Sequence, residues 1–207
     1  MKRFVYMIVG ILFIGIGVAA FRMAVFGVDP FTCMNLGISK FIGMSFGNWQ
    51  LIANLFLLVI VFFTVRNYIG IGTIVNMVGV GYIADFICWL LEKQISLSMG
   101  IPLRVGSLII ALLFLSWGAA MYMTADLGIA PYDAVAFIIE KVSVGKIPFG
   151  IGRIISDVTV MVIGVIFCML SQNSIWTVVG IGTIINAAIN GLLIQSFRSI
   201  LEPGKNW

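Results

Sequence analysis

The residues of this chain that could do chemistry are the polar ones set inside long apolar runs. In lipid, an amide, hydroxyl or carboxylate must face protein or water, so a buried one marks a binding or coupling position. Asn54, Thr73, Asn76, Asp157, Thr183 and Asn186 stand in such runs, and Asp133 sits at a break between two of them. Their spacing has a pattern. Gly70-Ile-Gly-Thr-Ile-Val-Asn76 returns as Gly180-Ile-Gly-Thr-Ile-Ile-Asn186, an offset of 110. Gly27-Val28-Asp29-Pro30-Phe31 returns as Gly128-Ile129-Ala130-Pro131-Tyr132, and Gly17-Val18-Ala19-Ala20 as Gly118-Ala119-Ala120-Met121, both at 101. Phe46-Gly47 returns as Phe149-Gly150 at 103, which sets Asn54 opposite Asp157. Landmarks that keep their order while the offset grows by small insertions predict an internal repeat of half the chain.

Two kinds of site follow from these residues. Paired amides and acids from two copies can converge on a central substrate site at the repeat interface. The breaks at Gly27, Asp29 and Pro30 and at Gly128, Pro131 and Tyr132 can begin half-helices, whose free N–H groups attract anions. Asp29 and Asp133 occupy those same turns and can satisfy the N–H groups themselves, which tilts the expected solute toward a cationic or zwitterionic one. Phe31 and Tyr132 can wall such a pocket. The structural alternative stays open for each: Asn and Thr often only join transmembrane helices, by bonds worth about 1 kcal/mol or less. Arg153 and Asp157, four apart, can form a plain ion pair.

The composition excludes other classes. With 61% apolar residues, 10% charged residues and a mean hydropathy of +1.16, the chain cannot cover a soluble surface and reads as integral to the membrane. The net charge of +4 then reflects loop Lys and Arg rather than a nucleic-acid partner. There is no histidine, and Cys33, Cys88 and Cys168 are isolated, so no metal site, cofactor or disulfide framework is expected, nor an enzyme. Met1-Lys2-Arg3 followed by apolar residues from Phe4 to Phe21 has the charge of a signal peptide. Its run is long enough to span, and a retained first span is expected.

The elements that would position these residues are all helical. Full spans are predicted at Phe4 to Met23, Gly47 to Val65, Tyr68 to Leu91, Val105 to Met123, Gly150 to Leu170 and Ser174 to Phe197. Repeat 1 covers 4–91 and repeat 2 covers 105–197, with 92–104 as linker, Ser171-Gln172-Asn173 as a loop and a loose tail from Arg198 to Trp207, all in a single membrane domain. Phe31 to Met44 and Tyr132 to Val144 are too short to cross: at 1.5 Å per residue the first reaches about 20 Å, against a core of about 30 Å. Three crossings per half would turn the second copy upside down, the inverted-repeat plan of many small transporters. The expected fold is an all-α polytopic bundle with six full spans and two half-membrane helices. With the N-terminus cytoplasmic, Lys2, Arg3, Arg66, Lys141, Lys146, Arg153, Arg198 and Lys205 fall on the cytoplasmic side, and Arg22, Lys40, Lys93 and Arg104 opposite. Eight spans in parallel repeats would gather more of the positive charge inside. Against that alternative stand the segment lengths and Lys40, Glu140 and Lys141.

The twin motifs at 70–76 and 180–186, with Leu127-Gly128-Ile129-Ala130-Pro131-Tyr132-Asp133, resemble the YczE/YitT family of small bacterial multi-pass membrane proteins. The resemblance covers nearly the whole chain. It implies a bacterial cytoplasmic membrane location and carries over no functional residue. The leading expectation is a secondary transporter or membrane substrate-binding protein for a small solute, with the bilayer, that solute and a second copy or another membrane protein as partners. The rivals are a membrane factor that recruits a partner through an exposed small-residue face such as Gly43 to Gly47, and a binding subunit that borrows an energy-coupling module.

Overall fold

The computed structural model describes residues 2–94, 100–172 and 175–201. Among them eight helices follow in order: α1 (Lys2–Ala24), α2 (Pro30–Ile42), α3 (Phe46–Thr64), α4 (Ile71–Gln94), α5 (Ile101–Ala125), α6 (Pro131–Val142), α7 (Phe149–Leu170) and α8 (Ile181–Leu201). Six are long and apolar enough to cross a membrane. The exceptions are α2 and α6, of 13 and 12 residues, which at 1.5 Å per residue reach about 20 Å and less.

Local chemistry explains where these helices begin and end. Thr32 N donates to Asp29 Oδ1 at 3.0 Å, so Asp29 caps α2, and Pro30 takes the first turn, where a missing N–H costs nothing. Gly43 closes α2 in the left-handed conformation at φ 71°, and Ser45 caps α3 by accepting from Asn48 N at 3.3 Å. α6 starts on Pro131 with no side-chain cap. Pro102 read as linker, but it lies in the first turn of α5, which begins at Ile101 rather than Val105. The linker expected over 92–104 is therefore short: α4 runs to Gln94, and residues 95–99 lie outside the described residues. Asn173 of the expected loop also lies outside them, as do residues 202–207 of the expected tail, while α8 carries Arg198 within its last turn.

Lipid tails are as apolar as leucine, so helices in a bilayer associate through close packing rather than through a hydrophobic drive. The central crossing shows it. A Cβ added at Gly118 would lie 2.6 Å from Gly10 O, so α1 and α5 touch backbone to backbone there. Arg3 Nε donates to Ala125 O at 2.9 Å near the start of α1 and the end of α5, and Gly17 meets Leu115 and Ala111, which makes the pair antiparallel. Met7, Ile11, Ile14 and Phe21 of α1 interlock with Leu108, Leu115 and Tyr122 of α5 in the main core. α4 lies parallel along α1, Gly79 against Ile11 and Gly15 against Ile83. α8 lies parallel along α5, Gly182 against Leu108 and Ser116 Oγ donating to Asn190 Oδ1 at 2.8 Å. Each short helix packs on a long helix from the other half of the chain: α2 on α7 through Gly37 and Gly164, α6 on α3 through Lys141 Nζ and Thr64 O at 2.5 Å.

Candidate functional site

Two joints place the short helices. In the first, Val28 N donates to Val178 O at 3.0 Å and Gly182 N to Phe26 O at 2.7 Å. In the second, Ile129 N donates to Tyr68 O at 2.9 Å and Gly72 N to Leu127 O at 2.7 Å. Each chain break thus docks on the Gly-Ile-Gly-Thr segment from the other half of the chain. Gly27 and Gly128 sit at φ 92° and 112°, and a Cβ would meet Gly180 N at 2.4 Å or Gly70 N at 2.5 Å. Only glycine supplies that conformation and that closeness. Thr73 Oγ1 accepts from Gly70 N at 3.1 Å and donates to Tyr68 O at 3.3 Å, and Thr183 Oγ1 accepts from Gly180 N at 3.2 Å and donates to Val178 O at 3.3 Å. Both threonine hydroxyls are spent on helix starts, and neither side chain lines the cavity described next.

The joints bring the first turns of α2 and α6 face to face, with the Phe31 and Tyr132 rings stacked at 4.2 Å between centroids. Beside them lies a cavity of about 80 Å³, room for a handful of waters or one small head group. Asp29, Pro30, Tyr132 and Asp133 line it from the two short helices, Gln50 and Asn54 from α3, Asn76 from α4, Arg153 and Asp157 from α7, and Asn186 and Asn190 from α8. Three carboxylates and one guanidinium therefore share a small, mostly buried space.

Those charges are distributed unevenly. Arg153 Nη1 donates to Asp133 Oδ1 at 2.5 Å, its Nε stands 3.4 Å from Asp157 Oδ1, and its guanidinium covers the Tyr132 ring at 4.8 Å. Tyr122 Oη donates to Asp133, and Tyr132 Oη to Asp157. The carboxylates from the second half of the chain are thus paired and hydrogen-bonded, as buried charges must be. Among the described residues, four that line the cavity carry a buried oxygen without a hydrogen-bond partner: Asp29 Oδ2, Gln50 Oε1 and Asn54 Oδ1 from the first half of the chain and Asn186 Oδ1 from α8, with Gln50 Oε1 lying against Gly81 of α4. Asn54 Nδ2 donates to Gln50 O at 3.0 Å, and that bond fixes the amide so that its oxygen is left over.

Of the residues singled out in the sequence, Asp29, Pro30, Phe31, Asn54, Asn76, Tyr132, Asp133, Asp157 and Asn186 meet at the cavity, whereas Gly27, Gly128, Pro131, Thr73 and Thr183 do not line it. Arg153 and Asp157 do approach one another, but the shorter contact of Arg153 crosses to Asp133 on α6. Gln50 sits at the Asn54-to-Asp157 offset from Arg153, so the repeat that singled out Asn54 also pointed to it. Tyr122 and Asn190 had no such signal. Arg22, set by the charge pattern on the side opposite the cytoplasm, pairs with Asp85 at 2.7 Å, away from the cavity lining, and Asp85 Oδ2 accepts from Gly47 N at 2.7 Å. The Gly43 to Gly47 segment is not a continuous exposed face: Gly43 is exposed, whereas Gly47 is buried against Gly81 and Tyr82 of α4.

No solved structure matches the chain. It is similar to the "Uncharacterized protein YyaS" of Bacillus subtilis (strain 168), 25% identical over 202 residues that cover 97% of this chain and 94% of that protein. It is also similar to the "Uncharacterized membrane protein YczE" of the same organism, 20% identical over 197 residues, 93% of this chain and 84% of the relative. The likeness to YczE read from the twin motifs is thus shown along nearly the whole length. This multi-pass helical membrane protein belongs to the family described as "Family of unknown function (DUF6198)", whose model matches residues 1–199.

Proposed function

We propose that the chain is a secondary transporter, or a membrane protein that binds a solute, and that it takes a small cationic or zwitterionic molecule in the cavity where α2 and α6 meet. The observation that carries this reading is the cavity itself. Burying a carboxylate or an amide oxygen without a partner costs roughly 1 to 3 kcal/mol or more, yet four residues that line one small space each carry such an oxygen. A donor-bearing solute that fills it would recover that cost. Short helices that begin at mid-bundle, beside polar groups from both halves of a chain, are the plan by which inverted-repeat transporters build their sites.

The inverted arrangement belongs to the same proposal. Two copies with three crossings each place α1 and α5 antiparallel, and the contacts of Arg3 with Ala125 and of Gly17 with Ala111 have that sense; eight spans in parallel repeats would set the pair parallel. Six crossings return the C-terminus to the side of the N-terminus, cytoplasmic by the charge rule. The test is a solute screen by thermal shift on the purified protein, followed by flux in reconstituted vesicles. Asn76→Ala and Asn186→Ala are expected to fold and to lose the ligand-induced shift. Full retention of the shift in both variants removes the site. Co-purification of a partner protein, with no flux of any solute, would replace transport by the recruiting role.

A further inference from the structure

Resting on that reading of the cavity, we propose that its ligand is an organic cation with a compact N–H-bearing head, a primary ammonium or a guanidinium, and that Asp29 is the residue that receives its charge. The lining divides into a satisfied half and an open half. Arg153 with the two tyrosine hydroxyls answers Asp133 and Asp157. Among the described residues no cation stands within ion-pair distance of Asp29. One of its oxygens caps Thr32 N, and the other is unpaired at a residue only 9% exposed. The neighbouring unpaired atoms are amide oxygens of Gln50, Asn54 and Asn186, at 5%, 3% and 2% exposure.

A group of buried, unpartnered oxygens that includes one carboxylate disfavours an anion at that end of the cavity and leaves a neutral solute without a charge partner for Asp29. It suits a head group whose donors point outward in several directions, as those of ammonium and guanidinium do. The second half of the cavity already contains that arrangement internally: Arg153 is a guanidinium held between two carboxylates over an aromatic ring. A ligand head against Asp29 would repeat it on the other side. A bare metal ion fits less well, because no cluster of three or more acidic, His or Cys ligands exists among the described residues, and the cavity is several times the size of one ion.

The experiment uses the full chain in nanodiscs, with methylammonium, methylguanidinium, tetramethylammonium, sodium, potassium and acetate each titrated by thermal shift and calorimetry. Methylammonium or methylguanidinium is expected to bind saturably, and tetramethylammonium, which has no N–H, is not. Asp29→Asn keeps the helix cap, since asparagine caps as well as aspartate, but removes the charge; it should weaken binding on the order of tenfold to a hundredfold. Asn54→Leu is the second variant, expected to weaken binding while leaving the cap untouched. Asp85→Asn, outside the cavity, should leave affinity unchanged. Equal binding by Asp29→Asn, or stabilisation by sodium or potassium that depends on Asp29, overturns the organic-cation assignment. Saturable binding of acetate or a neutral solute in its place would overturn this inference and keep the site, whereas no binding by any solute would end the functional reading as well.

Discussion

Arg153 holds the second half of the site together, because it is the one cation among three carboxylates in the cavity lining. Its side chain and those of Asp133 and Asp157 are 20%, 14% and 12% exposed. Removing one member of a mostly buried ion pair strands the other charge, and typical costs are about 3 kcal/mol. Arg153→Ala is therefore expected to lower the unfolding midpoint in detergent, and the triple variant that adds Asp133→Asn and Asp157→Asn should recover most of the loss. A midpoint unmoved by Arg153→Ala would mean that the triad contributes nothing to the fold. Lysine should rescue poorly, since a point charge cannot address two carboxylates and lie flat on Tyr132 together. At this scale the sequence was legible where polarity broke an apolar run, as at Asn54, Asn76 and Asp157. It was silent on Tyr122, a residue type that packs as readily as it hydrogen-bonds. It did not announce the Arg22–Asp85 pair, because a carboxylate near a span end looks alike whether water or an arginine 63 positions away answers it.

Helix starts decide the next scale up. α4 and α8 each open on a threonine that satisfies a preceding glycine N–H and a carbonyl behind it, a cap made from within. Losing a cap of this kind costs about 1 kcal/mol. Thr73→Ala and Thr183→Ala should each lower thermal stability by that modest amount and leave the affinity of any cavity ligand unchanged; a selective loss of binding would return both hydroxyls to the site. Gly128→Ala is expected to be far worse, because it combines a φ of 112° with a Cβ 2.5 Å from Gly70 N. Backbone strain alone is about 1 to 3 kcal/mol there, and expression of folded protein is the readout. The breaks were legible in the sequence because Gly and Pro leave few alternatives. Their docking partners were not, since a hydrogen bond between Val28 and Val178 involves only main-chain atoms and leaves no mark on residue type.

The whole molecule is not symmetric: the helix pairs of its two halves pack unequally. On one side α3 closes against α4: Gly47 and Gly81 are buried, a Cβ at Gly81 would lie 3.0 Å from Gly47 Cα, Tyr82 donates to Asn48 at 2.8 Å, and Asp85 holds Gly47 N. Carried along the offsets of 103 and 110, the matching pair is Gly150 and Gly191. Both are exposed, with no atom within 4 Å of an added Cβ, and α7 and α8 make only sparse contact. Arg153, slightly exposed where its counterpart Gln50 is buried, lies on that looser side. If two inverted copies exchange conformations during transport, the α7 and α8 pair must close in the alternate state as α3 and α4 do here. Gly81→Ala is then expected to destabilise this state, its methyl meeting Gln50 Oε1 at 2.7 Å. Gly191→Ala has open space, and alanine is the better helix former, so it should leave the unfolding midpoint unchanged or slightly raised while slowing flux severalfold by obstructing closure. Normal flux in Gly191→Ala, beside a clear stability loss in Gly81→Ala, would show that the looser pair never closes and that the difference between the two sides is fixed architecture.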